Sequence, residues 1–183
     1  MFPSMKMLDI LSLKDFPEYV PPPETGSTFK ENCLLKGEHA AKALKKLVLA
    51  DDSGLVVPAL EGRPGVVSAR YAGLDATDKD NRQKLLQEMK NLHGNGRDAY
   101  FECCLAIISP ERILKECSAV CEGSIIDAEK GGGGFGYDPL FLKHDYRKTF
   151  AELDETVKNQ VSHRRKALEK LIPYLEQLLK EHQ

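Results

Sequence analysis

The sequence predicts a mixed α/β fold in which helices flank an elongated central mixed β-sheet. Two capped helical patterns, which begin near Thr28 and Thr77, alternate with short β-rich segments. In the middle of the chain two β-rich runs are joined by turn-forming residues, which indicates an antiparallel hairpin. A hairpin within an alternating helix–strand pattern favours a sheet with both parallel and antiparallel pairs.

The first helix is predicted to begin after Ser27, because Thr28 and Glu31 have the spacing of a capping box. We expect it to run to about Lys46. Its apolar face is formed by Phe29, Cys33, Gly37, Ala40, Ala41 and Leu44. Many of these side chains are small, which permits close packing.

A short buried strand, 47–50, is predicted to follow, with a break at 51–54 and a return to extended structure at 55–57. The break contains two adjacent carboxylates, Asp51 and Asp52, which would then lie at a strand end. Neighbouring residues of an extended segment point to opposite faces, so only one of the two would face a given site.

A second helix is expected from Thr77 or Asp78 to about Leu92. The hairpin strands are predicted at 100–108 and 113–121. The glycine cluster at 131–134 then leads through a loop into a short strand that includes Phe141. A last helix is expected after Ser162, its plausible cap, with Pro173 producing a kink.

Composition limits the possible functions. The 183 residues suit one domain, 1–183, and the formal charge of −2 gives no basic excess for general nucleic-acid binding. No apolar run is long enough to span a membrane, and the amino terminus lacks the plan of a secretory signal. These features predict a cytoplasmic protein without nucleic-acid or membrane partners.

The five cysteines are odd in number and lie in apolar segments, which favours free buried thiols in a reducing compartment. Cys117 and Cys121 do not have the spacing of a zinc site. On one strand these residues would lie roughly 13 Å apart, too far to bind the same ion.

The segment 51–54 carries the strongest local chemical signal, because buried carboxylates require a partner. A divalent cation is one such partner, and Glu24, in a stiff turn ahead of the first helix, could supply a second oxygen ligand for magnesium. The alternatives are a turn whose aspartates accept backbone hydrogen bonds, and a solvated loop charge at Glu24.

Residues 131–136 match Gly-x-Gly-x-x-Gly but are followed by Tyr137 and Asp138 rather than by a helix, so a dinucleotide site is disfavoured. The segment also lacks the lysine and hydroxyl residue of a P-loop. We interpret it as a flexible-backbone wall. Phe135 or Tyr137 could stack on a base, although either could belong to the core.

Basic residues gather near the start of the last helix: Lys158, His163, Arg164 and Arg165. Amide donors and positive charge at a helix start would suit an anion. The competing interpretation is a solvated charged surface.

In this order, five motifs together resemble the inosine triphosphate pyrophosphatase family over about residues 24–171. The matching segments are 25–32 (TGSTFKEN), 50–55 (ADDSGL), 64–71 (PGVVSARY), 133–139 (GGFGYDP) and 162–164 (SHR). The resemblance implies a homodimeric fold with two lobes around a nucleotide cleft. It also implies hydrolysis of deaminated purine nucleoside triphosphates (ITP, dITP, XTP) to the monophosphate and pyrophosphate, which removes them from the nucleotide pool.

The resemblance also implies residue roles. Asp52 would be the catalytic acid–base carboxylate and a Mg²⁺ ligand, with Glu24 a second ligand. Ser53 and Lys158 would hold substrate. The segment Phe135, Gly136, Tyr137 and Asp138 would line the base pocket, and His163 and Arg164 would contact the purine.

The family normally begins with a strand and a Thr/Ser-x-Asn-x-x-Lys loop that grips the triphosphate, and neither occurs in this sequence. Residues 8–13 resemble the family's second strand instead. The missing loop leaves open a catalytically impaired relative that binds purine nucleotides. A pyrophosphatase for pyrimidine or modified nucleotides is a separate alternative.

Overall fold

The computed structural model describes residues 9–181. Its helices are α1 (Phe29–Leu44), α2 (Asp78–Glu88), α3 (Glu155–Val161) and α4 (His163–Glu181). Its strands are β1 (Val48–Val56), β2 (Asp98–Ile108), β3 (Ile113–Ile125), β4 (Phe141–Lys143) and β5 (Lys148–Thr149). Short 3-10 segments connect several of them, including Gly65–Arg70, which we call the edge segment. The predicted combination of helices and a central sheet is confirmed.

The five strands form one sheet in the order β1-β2-β3-β4-β5. Between residues 9 and 181 every pair is antiparallel, so the expected parallel pairing does not occur there. The reason is the connectivity: each strand pairs with the next one along the chain and enters the sheet from the opposite end. Parallel neighbours would require a crossover that returns the chain in the same direction.

Strand β1 is continuous, so the predicted break at 51–54 is wrong. It pairs with β2 without interruption from Val48, opposite Ile108, to Val56, opposite Tyr100. This ladder of hydrogen bonds holds the polar residues extended, and the two carboxylates lie within the strand rather than at its end. The predicted alternation is confirmed, since Asp51 is exposed and Asp52 is buried.

Helices α1 and α4 cover opposite faces of the sheet. Helix α1 packs against Ala50 and Val56 of β1, and α4 packs against the β2 residues that point the other way. Gly37 permits the close approach of α1, because a Cβ atom there would lie 2.3 Å from Cδ1 of Ile108. The two faces of β1 therefore have different surroundings.

A third core cluster lies at the end of the sheet where β4 and β5 pair. The Phe101 ring lies 4.7 Å from Phe141 and 5.8 Å from Phe150, centroid to centroid. Tyr137 and Leu55 belong to the same buried cluster. This aromatic group supports the loop that precedes β4.

Both predicted helix caps near Thr28 and Thr77 are present. The Thr28 hydroxyl accepts the Glu31 N–H, but the Glu31 carboxylate accepts from the Ser27 N–H and hydroxyl instead of completing the box. The box of α2 is complete between Thr77 and Asp80. Helix α2 ends at Glu88, earlier than expected.

Two other expectations are tested near the chain ends. Ser162 caps α4 as predicted, since its hydroxyl accepts the Arg165 N–H. Lys158, which was expected near the start of this helix, lies in the separate helix α3. The strand expected at 8–13 is wrong for 9–13: residues 9–12 form no strand and Leu13 begins a 3-10 turn, while residue 8 lies outside the described range.

All five cysteines are free, as predicted. Within residues 9–181 no cluster of three or more histidine, cysteine or acidic side chains is arranged to hold a metal ion. Over the same range, no helix has the length and apolar character needed to cross a membrane.

Candidate nucleotide site

The eight residues expected to hold substrate line one pocket with a volume of about 310 Å³. They are Ser53, Phe135, Gly136, Tyr137, Asp138, Lys158, His163 and Arg164. The pocket walls come from β1, from the loop 131–138, which we call the glycine loop, and from α3 and α4. Antiparallel pairing and the α4 packing thus bring together segments that are more than 100 residues apart in the sequence.

The glycine loop leads into β4 and not into a helix, as predicted. Gly134 has φ +74°, and a Cβ atom there would lie 2.1 Å from Oδ2 of Asp138. Asp138 is buried; its Oδ2 accepts the Phe135 N–H at 2.8 Å and pairs with the Lys158 ammonium. Glycine at position 134 therefore allows the loop to wrap closely around a buried carboxylate.

The two aromatic residues of the loop have different environments. Tyr137 is 4% exposed and its hydroxyl donates to the Ser68 carbonyl at 2.9 Å, so it is a core residue. Phe135 is 62% exposed. The Lys158 ammonium lies 4.7 Å from the Phe135 ring centroid, and the Arg164 guanidinium lies 5.7 Å from it. Phe135 is therefore the ring of this pair that is available to stack on a ligand.

Arg164 connects α4 to β1. Its Nε donates to Oδ2 of Asp51 at 2.8 Å, and its Nη2 donates to the Ser53 hydroxyl at 2.7 Å. The guanidinium is thus held against the same face of β1 that carries Ser53. Arg165, by contrast, pairs with Glu169 and does not line the pocket.

His163 is buried and stacks on Phe101, with 4.9 Å between ring centroids and 14° between ring planes. Burial, together with the positive charges of Arg164 and Lys158, lowers the pKa of His163 to about 3. The imidazole is therefore neutral at pH 7. Its Nδ1 atom is buried and has no hydrogen-bond partner among residues 9–181, so it can bond to a ligand.

The two predicted metal ligands lie on the other face of β1. The Lys36 ammonium contacts Oδ1 of Asp52 at 2.6 Å and Oε1 of Glu24 at 2.8 Å. Arg70 also pairs with Glu24, at 3.1 Å. We call Glu24, Lys36, Asp52 and Arg70 the charged cluster. Asp52 and Glu24 are not among the residues that line the pocket.

Lys36 and Arg70 were not predicted as site residues from the sequence. Lys36 carried a usable signal, because it lies between Cys33 and Ala40 at helical spacing and is a charge beside the apolar face of α1. Arg70 lies within the motif 64–71, but nothing local distinguishes it from a solvated arginine. Only the fold brings its guanidinium to Glu24.

The cluster changes the proton affinities of its carboxylates. Burial raises the pKa of Asp52 above its usual range, against the opposing effect of Lys36. For Glu24, hydrogen bonds from Lys36 and Arg70 outweigh burial and lower its pKa. The surroundings therefore favour proton uptake at Asp52 and ionisation at Glu24.

The cluster has donors that fit a magnesium ion. Its two carboxylates converge on one cation, the Lys36 ammonium, so their oxygen atoms are already oriented towards a common point. Magnesium prefers oxygen ligands and completes its shell with water and substrate phosphates, so two protein carboxylates suffice. Lys36 would have to move from this position to admit the ion.

The edge segment connects the pocket with the charged cluster. The Ser68 hydroxyl accepts the Leu55 N–H at 3.0 Å, and Ser68 also lines the pocket, while Arg70 reaches Glu24. Gly54 makes this possible, since a Cβ atom there would lie 2.4 Å from the Ser68 hydroxyl oxygen. A ligand whose base occupies the pocket could therefore extend its phosphates across this edge towards Asp52.

Known proteins resemble this chain in both sequence and fold. The model of the Ham1 family matches residues 2–174. The chain belongs to the Ham1 family. It is 58% identical over 172 residues to the dITP/XTP pyrophosphatase of Protochlamydia amoebophila, covering 93% of this chain and 86% of the relative. Identity to the dITP/XTP pyrophosphatase of Chlamydia abortus is 59%, over 93% of this chain and 84% of the relative.

Solved structures of the Ham1 family share the fold. The Staphylococcus aureus Ham1 protein superposes with a TM-score of 0.81 at 43% identity, over 93% of this chain and 85% of that one. The Coxiella burnetii HAM1 protein gives a TM-score of 0.85 at 40% identity, over 97% and 90% of the two chains. The family expected from the five sequence motifs is thereby confirmed.

Proposed function

We propose that this chain hydrolyses deaminated purine nucleoside triphosphates, namely ITP, dITP and XTP, to the nucleoside monophosphate and pyrophosphate. The observation that carries the proposal is the convergence of seven motif residues and Lys158 on one pocket beside the charged cluster. Relatives 58% and 59% identical to this chain are dITP/XTP pyrophosphatases, which supports the same substrate class here.

In this proposal the purine base enters the pocket and stacks on Phe135. His163 and Arg164 contact the base, and Lys158 and Ser53 hold the substrate next to it. A pocket that donates hydrogen bonds to the 6-keto oxygen mismatches the amino group of adenine. Polar mismatches of this kind can discriminate by about 10⁴-fold.

The reaction proposed is attack of water on the α-phosphorus. The bond from this phosphorus to the α,β-bridging oxygen breaks, and pyrophosphate leaves. Asp52 accepts the proton of the attacking water, a role that its raised pKa favours. Lys36 and Arg70 place positive charge beside the phosphates. Mg²⁺ held by Asp52 and Glu24 would offset the phosphate charge when it is bound.

We also propose that residues 1–183 form a single pyrophosphatase domain that works as a cytoplasmic homodimer and binds no nucleic acid. The net charge of −2 and the free cysteines support a reducing compartment without nucleic-acid partners. The resemblance to the family supports the dimer. Light scattering during size-exclusion chromatography tests it, and a mass of one chain at micromolar concentration would contradict it.

The function is tested by measuring pyrophosphate release from ITP, XTP, GTP, ATP and the pyrimidine triphosphates CTP and UTP with magnesium, and by measuring ITP binding by calorimetry. We expect release that is selective for ITP and XTP and that requires added magnesium. Release from pyrimidine or modified nucleotides in preference to ITP would contradict the proposed substrate class and favour a pyrophosphatase for those nucleotides. Tight ITP binding without release would indicate an impaired nucleotide-binding relative.

A further inference from the structure

The backbone of Gly136 in the glycine loop is held by two side chains of α2. Oδ2 of Asp78 accepts the Gly136 N–H at 2.7 Å, and Nη1 of Arg82 donates to the Gly136 carbonyl at 2.9 Å. The two side chains are four residues apart, so they project from the same face of the helix. Both polar groups of the Gly136 backbone are therefore bonded to α2.

Arg82 is itself fixed from the other side. Its Nε and Nη2 atoms donate to the two carboxylate oxygens of Glu129 at 2.9 and 3.1 Å. This forked pairing leaves the arginine side chain only 14% exposed and orients its third nitrogen towards Gly136. A lysine could not make all three contacts, because it has a single nitrogen.

Gly136 lies between the two aromatic residues of the pocket wall, Phe135 and Tyr137. Gly136 has φ +59° and follows Phe135, the exposed ring that faces the pocket. The other side of the loop is anchored where the Gly133 N–H donates to the Ala151 carbonyl at 3.1 Å. Asp78 also lines the pocket directly. The position of α2 therefore sets the position of the Phe135 ring.

We propose that Asp78 and Arg82 are positioning residues that set base affinity and base selectivity by holding Gly136. This inference rests on the proposed function, because it assigns the glycine loop to the base. Neither residue belongs to the motifs that indicated the site. We call Asp78 and Arg82 the clamp. Loosening the clamp lets Phe135 and the backbone around Gly136 shift, so binding affinity falls more for the matched base than for the mismatched one.

The test compares Asp78→Ala, Asp78→Asn, Arg82→Ala and Arg82→Lys with the control Gln83→Ala, an exposed residue of α2. For each protein kcat and KM are measured with ITP and ATP, and ITP affinity is measured by calorimetry in EDTA. We expect Asp78→Ala and Arg82→Ala to raise the KM for ITP about tenfold with kcat changed less than about threefold. The preference for ITP over ATP should fall in parallel.

Asp78→Asn is the decisive variant. It removes the negative charge at the start of α2, as alanine does, but keeps an oxygen that can accept the Gly136 N–H. Near-normal KM in Asp78→Asn therefore supports the clamp, whereas equal damage from Asn and Ala would attribute the effect to helix stability and overturn the proposal. Arg82→Lys should behave like Arg82→Ala, and the Asp78→Ala/Arg82→Ala double variant should be little worse than either single one.

Failure of the proposed function and failure of the clamp give different results. Wild-type protein that releases no pyrophosphate from ITP contradicts the proposed function, but the calorimetric affinities still test the clamp. Active wild type with unchanged KM, affinity and selectivity in Asp78→Ala contradicts the clamp alone. A similar shift in Gln83→Ala would also overturn it.

Discussion

The pocket and the charged cluster lie on opposite faces of β1, and they are built differently. The pocket is held by hydrogen bonds from side chains to backbone, as at Asp138 and Tyr137, around an open volume. The cluster is a closed set of two carboxylates and two cations drawn from four separate segments. A pocket built in this way is suited to shape recognition, and a network of paired charges is suited to proton transfer and phosphate binding.

This difference between the pocket and the charged cluster leads to a general expectation. Changes in the pocket should act mainly on KM and on base selectivity, and changes in the cluster should act mainly on kcat. Adjacent residues of β1 allow a direct comparison, because the two faces of the strand alternate along it.

The largest effect is expected for Asp52→Asn. The amide keeps the shape of the side chain but is a poor proton acceptor, so kcat should fall by about 10³-fold. Calorimetry should show ITP affinity close to that of the wild type. Asp51→Asn is the matched control, since this neighbour points to the pocket face and contacts Arg164. It should change KM and leave kcat nearly intact; equal loss of kcat in both variants would abolish the distinction between the faces.

The next largest effect is expected for Asp138→Ala, which should lower the free energy of unfolding. It leaves the half-buried Lys158 ammonium without its carboxylate partner and the Phe135 N–H without its acceptor, a loss of about 3 kcal/mol. Urea denaturation followed by circular dichroism measures it. The Asp138→Ala/Lys158→Met double variant should recover part of the loss, and no recovery would mean that the charge pair is not the cause.

The pH dependence of stability should identify His163. Its native pKa of about 3 lies below the ordinary value of 6.5, so between these values the unfolded chain binds a proton that the native state does not. Stability from this group is therefore complete above pH 6.5 and is lost, by about 1.4 kcal/mol per pH unit, as the pH falls. His163→Gln should show a shallower decline between pH 7 and pH 5, and parallel curves would contradict the lowered pKa.

The smallest effect is expected for Arg164→Ala, which removes the contacts to Asp51 and Ser53. The KM for ITP should rise about fivefold, because hydrogen bonds to a charged group each contribute modestly. Arg165→Ala is the matched control, as this residue pairs with Glu169 outside the pocket. A larger rise in the control would show that α4, and not Arg164, governs affinity.

Helices α1, α2 and α4, the residues that cap them and the hairpin could be predicted from the sequence, because these depend on local spacing and on turn chemistry; the short helix α3 was not predicted. Eight of the residues that line the pocket were also expected from the sequence, through the family resemblance that its motifs carry, whereas Asp78 and Phe101 were not. The alternation of Asp51 and Asp52 followed from the geometry of an extended chain alone.

The other features depend on contacts between distant parts of the chain. The continuity of β1 depends on its pairing with β2, which stabilises polar residues that would otherwise favour a turn. The all-antiparallel order of the sheet in residues 9–181 depends on which end each strand enters. Lys36 and Arg70 belong to the charged cluster because packing of α1 and of the edge segment brings them to Glu24 and Asp52. Such contacts join residues far apart in the chain, and no local pattern encodes a distance between them.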